Sequence, residues 1–150
     1  MTRWQMIDIP PVWLFAGLGV IWTEHAVTGG LPVGALGAGI GGSLVALGLG
    51  LMAAALWAFY RANTTPIPHQ APDAMITTGV FALTRNPIYL GDALVIAGVG
   101  MSNGAVLSLV ILPVFVWLIT RRFIRAEEAR LAAGFPETWP TYRDRVRRWI

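Results

Sequence analysis

The chain has no cysteine and no lysine. The first absence excludes disulfides, thiolate metal sites and cysteine nucleophiles, and leaves the redox compartment open. The second makes an arginine of every Lys-or-Arg position, 11 in 150 residues. Charge is scarce altogether: charged residues make up 13% of the chain against 55% hydrophobic. Most of such a chain cannot sit in water as a small globule, so a membrane protein is expected. Histidine is nearly missing too. His25 and His69 have no companion ligands at helical spacing, and no metal site is expected.

What is present is apolar sequence in four blocks, at about 12–27, 33–60, 88–101 and 106–124. Each is close to the roughly 20 residues that cross a bilayer as a helix. The expected fold is therefore all-α, a single polytopic domain over 1–150 with four transmembrane helices. Before the first block, MTRWQMIDIPP offers no small-residue cleavage site, so Val12 onward reads as a retained span and not a signal peptide. The second block is longer than a bilayer core and must tilt or protrude. Its Gly37 and Gly41 lie one helical turn apart, which favours close helix contact. A polar segment from Arg61 to Pro87 follows, broken by Pro66, Pro68 and Pro72. The short "SNG" turn separates the last two blocks, Pro113 is expected to kink the fourth, and from Arg121 the sequence becomes a charged tail.

Every arginine falls at Arg3, Arg61, Arg85 or between Arg121 and Arg148, on one side of a four-span arrangement. The positive-inside rule then puts both termini and the central loop in the cytoplasm. Trp4, Trp13, Trp57, Trp139 and Trp149 fall near the same interface and read as an aromatic belt. The tail "FPETWPTYRDRVRRWI" reads as a short helix lying on the membrane. No basic surface is left over for nucleic acid. A carboxylate at Asp92, inside an apolar block, is costly unless paired, with Arg85 or Arg121 as the expected partner.

The stretch "RANTTPIP…MITTGVFALTRNPIYLGDALVIAGVGM", followed by "RAEEARL" and "TYRDRVRRWI", resembles the isoprenylcysteine carboxyl methyltransferase and phospholipid methyltransferase superfamily of membrane enzymes. Its hallmarks are an Arg-His-Pro-x-Tyr loop before one span and Glu-Glu-x-x-Leu after the next. Here these are Arg85-Asn86-Pro87-Ile88-Tyr89 and Glu127-Glu128-Ala129-Arg130-Leu131. The resemblance covers Arg61 to the C-terminus. It implies S-adenosylmethionine bound at the cytoplasmic ends of the last two spans, in a cofactor-binding part over about 61–150. A lipophilic small molecule or lipid would enter from the bilayer as acceptor.

Carried over by position, the resemblance implies cofactor contacts at Met75, Ile76, Thr78, Gly79, Phe81, Asn86, Pro87, Tyr89, Gly98, Gly100, Glu127 and Glu128. Arg85, Asn86, Tyr89 and Asp92 would be catalytic, and Arg121, Arg122 or Arg125 would face the acceptor. Plainer readings exist for some of these. Glycines within a membrane helix usually serve packing, and a Glu-Glu at a span's end can pair with Arg125 or Arg130 on its own helix.

The chain departs from the family pattern at Asn86, where histidine is commoner. Asparagine can donate or accept a hydrogen bond but does not titrate near neutral pH. Methyl transfer is an in-line displacement at a sulfonium carbon, for which alignment and exclusion of water are the main tasks. A carboxylate or thiolate-like acceptor needs no base. An amine must first lose a proton, with Asp92, Tyr89 or Glu128 as candidate bases. The alternatives to a methyltransferase are a nicotinamide-dependent membrane reductase of related architecture, against which the Glu-Glu-x-x-Leu pair argues, and a non-catalytic helical membrane module. The compact length suggests a bacterial inner-membrane protein.

Overall fold

The computed structural model describes residues 9–65 and 74–150; Arg3, Trp4, Pro66, Pro68, His69 and Pro72 lie outside the described residues. Every regular element among the described residues is helical. Helix α1, Pro10–Thr28, starts on a proline whose missing N–H would have had no partner in the first turn, and it stops at Gly29, with φ 75°. Helix α2 is Gly34–Arg61. A 3-10 turn, Gly79–Ala82, leads to α3, Pro87–Ser102. Helix α4, Ser108–Ile119, runs through a π-helical turn, Thr120–Ile124, into α5, Arg125–Gly134. Helix α6, Trp139–Arg145, completes the chain's order.

The first three apolar blocks coincide with α1 to α3 within about two residues, but the fourth continues well past its expected end. No breaker interrupts Arg121 to Gly134, and the Ala, Arg, Glu and Leu found there are strong helix formers, so the charged tail remains helical until Phe135-Pro136. The irregularity in this run falls at Thr120, beyond Pro113. The Thr120 hydroxyl donates to the Val116 carbonyl at 2.6 Å, an acceptor that it shares with the Thr120 backbone N–H.

Among the described residues, α2 is the one helix that is by itself long and apolar enough to cross a membrane; α3 is apolar but shorter. At 1.5 Å per residue the 28 residues of α2 reach roughly 42 Å, more than a hydrocarbon core of about 30 Å. The outer surface is apolar to match. Phe15, Leu36, Leu47, Leu109 and Trp117 are each at least 60% exposed, as large apolar side chains that contact lipid or other protein would be.

Helices α2 and α3 are antiparallel and touch backbone to backbone. A Cβ on Gly98 would lie 2.5 Å from the Gly41 carbonyl oxygen, and one on Gly91 would lie 2.7 Å from that of Gly48. The pairs 41/98 and 48/91 are spaced by two helical turns, so glycine recurs wherever the two axes face each other. Gly37, expected at such a contact, meets its own helix's Val33 instead; Gly48 is Gly41's companion. Helix α1 packs on α3 and α4 through Leu14, Leu18 and Ile21, in a core shared with Ile96, Phe115, Ile119 and Phe123.

At one end of the bundle the turns are latched. The Glu24 carboxylate accepts the N–H groups of Val106 and Leu107, before α4, at 2.8 and 3.0 Å. His25 Nδ1 is 2.9 Å from the Asn103 carbonyl oxygen, and Leu31 N–H donates to the Gly104 carbonyl. At the other end lie the C-terminus of α2, the N-terminus of α3, the π turn and every described arginine.

Candidate active site

The arginine-rich end holds a cavity of about 630 Å³. One part of its wall is apolar, formed by Pro10, Leu14 and Phe15 of α1 with Met52, Leu56 and Phe59 of α2. The other part is polar, with Arg85, Tyr89, Asp92, Glu127, Glu128 and Arg130. One cavity therefore joins a surface suited to hydrocarbon to one suited to a charged ligand.

The loop before α3 forms the polar wall. Gly79, at φ 61°, lets the chain turn into the 3-10 segment and buries Phe81, which meets Phe59 edge to face at 5.4 Å between ring centres. Thr84 is buried; its hydroxyl donates to the Arg148 carbonyl at 3.2 Å and accepts the Asn86 N–H at 3.2 Å. Asn86 stands at the N-cap of α3 but does not cap it. Its side-chain amide donates instead to the Arg148 carbonyl at 2.9 Å, and Arg85 N–H donates to the Arg147 carbonyl at 3.0 Å.

Two carboxylates on α5 complete this wall. The Tyr89 hydroxyl donates to Glu127 Oε1 at 2.7 Å. Glu128 takes a two-pronged contact from Arg148, with Nε to Oε1 at 2.9 Å and Nη2 to Oε2 at 2.6 Å, and Arg85 Nη2 lies 3.4 Å from Oε1. Arg85 also lies over the Trp139 ring, 5.5 Å from its centre, and its Nε and Nη1 are buried without a hydrogen-bond partner among the described residues. Burial lowers the affinity of this guanidinium for its proton and Glu128 opposes that effect, while the bonds to Glu128 hold the Arg148 proton more tightly. Beneath the loop, Tyr142 donates to the Phe81 carbonyl at 2.8 Å, and burial pushes its phenol up to about 12.

Of the cofactor-contact residues expected from the sequence, Met75, Ile76, Phe81, Asn86, Pro87, Tyr89, Glu127 and Glu128 line this cavity, as do Arg85 and Asp92. Thr78 and Gly79 shape the loop without lining it. Gly98 and Gly100 lie elsewhere, Gly98 against Gly41 and Val45 of α2, Gly100 against Ser108 and Ile21. Arg121, Arg122 and Arg125 are exposed and do not line it; Arg121 lies over Trp117 and Arg122 over Trp13. The ion pair expected between Asp92 and Arg85 or Arg121 is not formed. Arg85 is drawn to Glu128 and Arg121 points outward, leaving Asp92, 3% exposed, on the cavity wall.

The tail also departs from expectation. Trp139 and Tyr142 are buried with Val146 against Met75 and Leu131, so α6 packs on the protein with the face expected to meet lipid. Trp139 thus belongs to the interior, whereas Trp57 is 61% exposed as a belt residue would be. Arg148, Thr84 and Tyr142 are site residues missed in the sequence; their partners are distant along the chain and no local spacing marks them. Arg130, inside the Glu-Glu-x-x-Leu stretch, also lines the cavity.

A family model described as phospholipid methyltransferase matches residues 37–138, more than half of the chain. The chain belongs to that family. Among curated proteins and among solved structures, nothing matches it. For a phospholipid methyltransferase family member the general activity is methyl transfer by a membrane protein, which sets the nicotinamide reductase aside. The match contains the 74–92 wall and the Glu127-Glu128 pair; α1 and everything from Trp139 onward fall outside it.

Proposed function

We propose that this phospholipid methyltransferase family member transfers a methyl group from S-adenosylmethionine to a lipophilic acceptor at the cytoplasmic face of a membrane. The observation that carries the reading is the cavity itself, whose lining includes both the Tyr89–Glu127 pair and an apolar wall formed by α1 and α2. Its donor set fits the cofactor. Glu127 can accept from ribose hydroxyls or an ammonium group, Met75, Ile76 and Leu131 offer apolar faces to a purine, and about 630 Å³ lies within the range of small-molecule sites. Bound there, S-adenosylmethionine supplies an electrophilic methyl on a sulfonium.

The chain's own residues then orient and exclude. Tyr89 and Glu127 fix one another, and the buried wall around Arg85 and Asp92 keeps water from the reacting groups. With a carboxylate acceptor, one of its oxygens forms the new bond to carbon as the carbon–sulfur bond breaks, the two charges cancel, and no base is needed. Asp92 favours a second reading. Glu128 is engaged by two arginines and Tyr89 donates to Glu127, so Asp92 is the carboxyl on the wall placed to accept a proton from an amine acceptor.

The reading includes four spans with the arginine-rich end in the cytoplasm. In oriented vesicles, Ala133→Cys is then labelled by an impermeant maleimide from the cytoplasmic side and Val27→Cys from the other; labelling of both from one side contradicts this topology. For the activity, purified protein is incubated with methyl-labelled cofactor and a membrane lipid extract. Label appears in the organic phase, released by mild base if an ester has formed and retained if nitrogen is methylated. Absence of transfer to any extract fraction contradicts the proposal.

A further inference from the structure

The last residues of the chain, beyond the 37–138 family match, tie together three segments around the cavity. The Arg147 and Arg148 carbonyls accept from Arg85 N–H, the Thr84 hydroxyl and the Asn86 amide, fixing the loop from which α3 starts. The Arg148 side chain holds Glu128 by both oxygens. Trp149 Nε1 donates to Thr120 Oγ1, in the π turn that leads to α5, at 3.1 Å. One three-residue stretch therefore sets the loop and α5 relative to each other. Tyr89 follows that loop, Glu127 is on that helix, and their 2.7 Å bond spans the gap.

We infer that Arg148 is a positioning residue for the cofactor site. It acts through Glu128 and has no need to touch the ligand. A planar guanidinium making two parallel bonds fixes both the distance and the rotation of the first turn of α5, which a single point charge does not. Glu128 in turn serves the site by anchoring that turn; the adjacent Glu127 is the carboxylate turned toward Tyr89. The backbone bonds of Arg147 and Arg148, the Tyr142 contact with Phe81 and the Trp139 packing all survive loss of the Arg148 side chain, so the tail stays folded on the protein without it.

This inference rests on the proposed methyltransferase reading, and the experiment separates the two. Binding of S-adenosylmethionine to detergent-purified wild type, Arg148→Ala, Arg148→Lys, Glu128→Gln and the Arg148→Ala/Glu128→Gln pair is measured by calorimetry, with thermal midpoints and initial rates alongside. We expect Arg148→Ala to weaken cofactor affinity and raise its KM at least about tenfold, with kcat at saturating cofactor within about threefold of wild type. Arg148→Lys should fall between, because it restores charge without the fork. The double variant should be no weaker than the worse single one, the signature of two groups acting as a unit.

A purely structural role would lower the thermal midpoint and leave the affinity of the folded protein unchanged, which overturns the inference. Additive losses in the double variant overturn it too. If Arg148→Ala does not fold, Arg148→Lys and Glu128→Gln carry the same test, and wild-type affinity in both refutes it. No cofactor binding by folded wild type sinks the methyltransferase reading and this inference with it, whereas binding by wild type and undiminished binding by the variants sinks the inference alone.

Discussion

Asn86 is where this chain differs from the motif it resembles, and its contact explains how the difference is tolerated. The side-chain amide is spent on the Arg148 carbonyl, an acceptor that any N–H donor of similar reach can satisfy. A histidine ring N–H could make the same bond, so the position needs a donor before it needs a titrating group. Asn86→His is therefore expected to keep cofactor affinity within a few-fold of wild type. Asn86→Asp sets a carboxylate against the carbonyl and leaves the latter with Thr84 alone, costing about 1–3 kcal/mol. Denaturation midpoints in detergent beside calorimetry check both, and an Asn86→Asp protein as stable as wild type contradicts this account. The sequence marked position 86 through its motif, but the partner that gives it meaning is 62 residues away.

Among the elements, α2 and α3 depend most on what is missing from their side chains. The glycine richness of the second apolar block was legible as a sign of close packing, and the choice of glycines was not. Facing positions are set by where the axes cross, which brings Gly41 to Gly98 and Gly48 to Gly91 and leaves Gly39, Gly42 and Gly50 in open space. The same geometry accounts for Gly98 and Gly100, which the family resemblance had put at the cofactor and which lie between helices. Gly98→Leu should separate α2 from α3 and cost at least about 3 kcal/mol, or prevent folding. Gly39→Ala meets nothing and gains up to about 1 kcal/mol from helix propensity. Thermal melts of the two proteins in detergent decide this, and equal stability would contradict the packing described.

For the molecule as a whole, four apolar blocks, a polar central loop and one-sided arginine were readable from composition and order, and all became helices or their connections where the structure describes them. The cavity was not readable in the same way. Its apolar wall comes from α1 and α2, which carry no motif, and its polar wall is fixed by a tail that looked like a lipid-facing amphipathic segment. Motifs name groups that touch a ligand; the residues that hold those groups are set by packing over long sequence separations. Arg85 was foreseen at the site, yet it pairs with Glu128 in place of Asp92, on a carboxylate that Arg148 of the tail also holds. The central claim is that Tyr89 and Glu127 form the cofactor end of this cavity. Its most direct test is calorimetric titration of S-adenosylmethionine and S-adenosylhomocysteine into the detergent-purified protein, beside Glu127→Gln. The account predicts binding by the wild type and an affinity at least about tenfold weaker in the variant, as expected for losing hydrogen bonds to a charged acceptor; no binding by folded wild type, or equal binding by both, would contradict it.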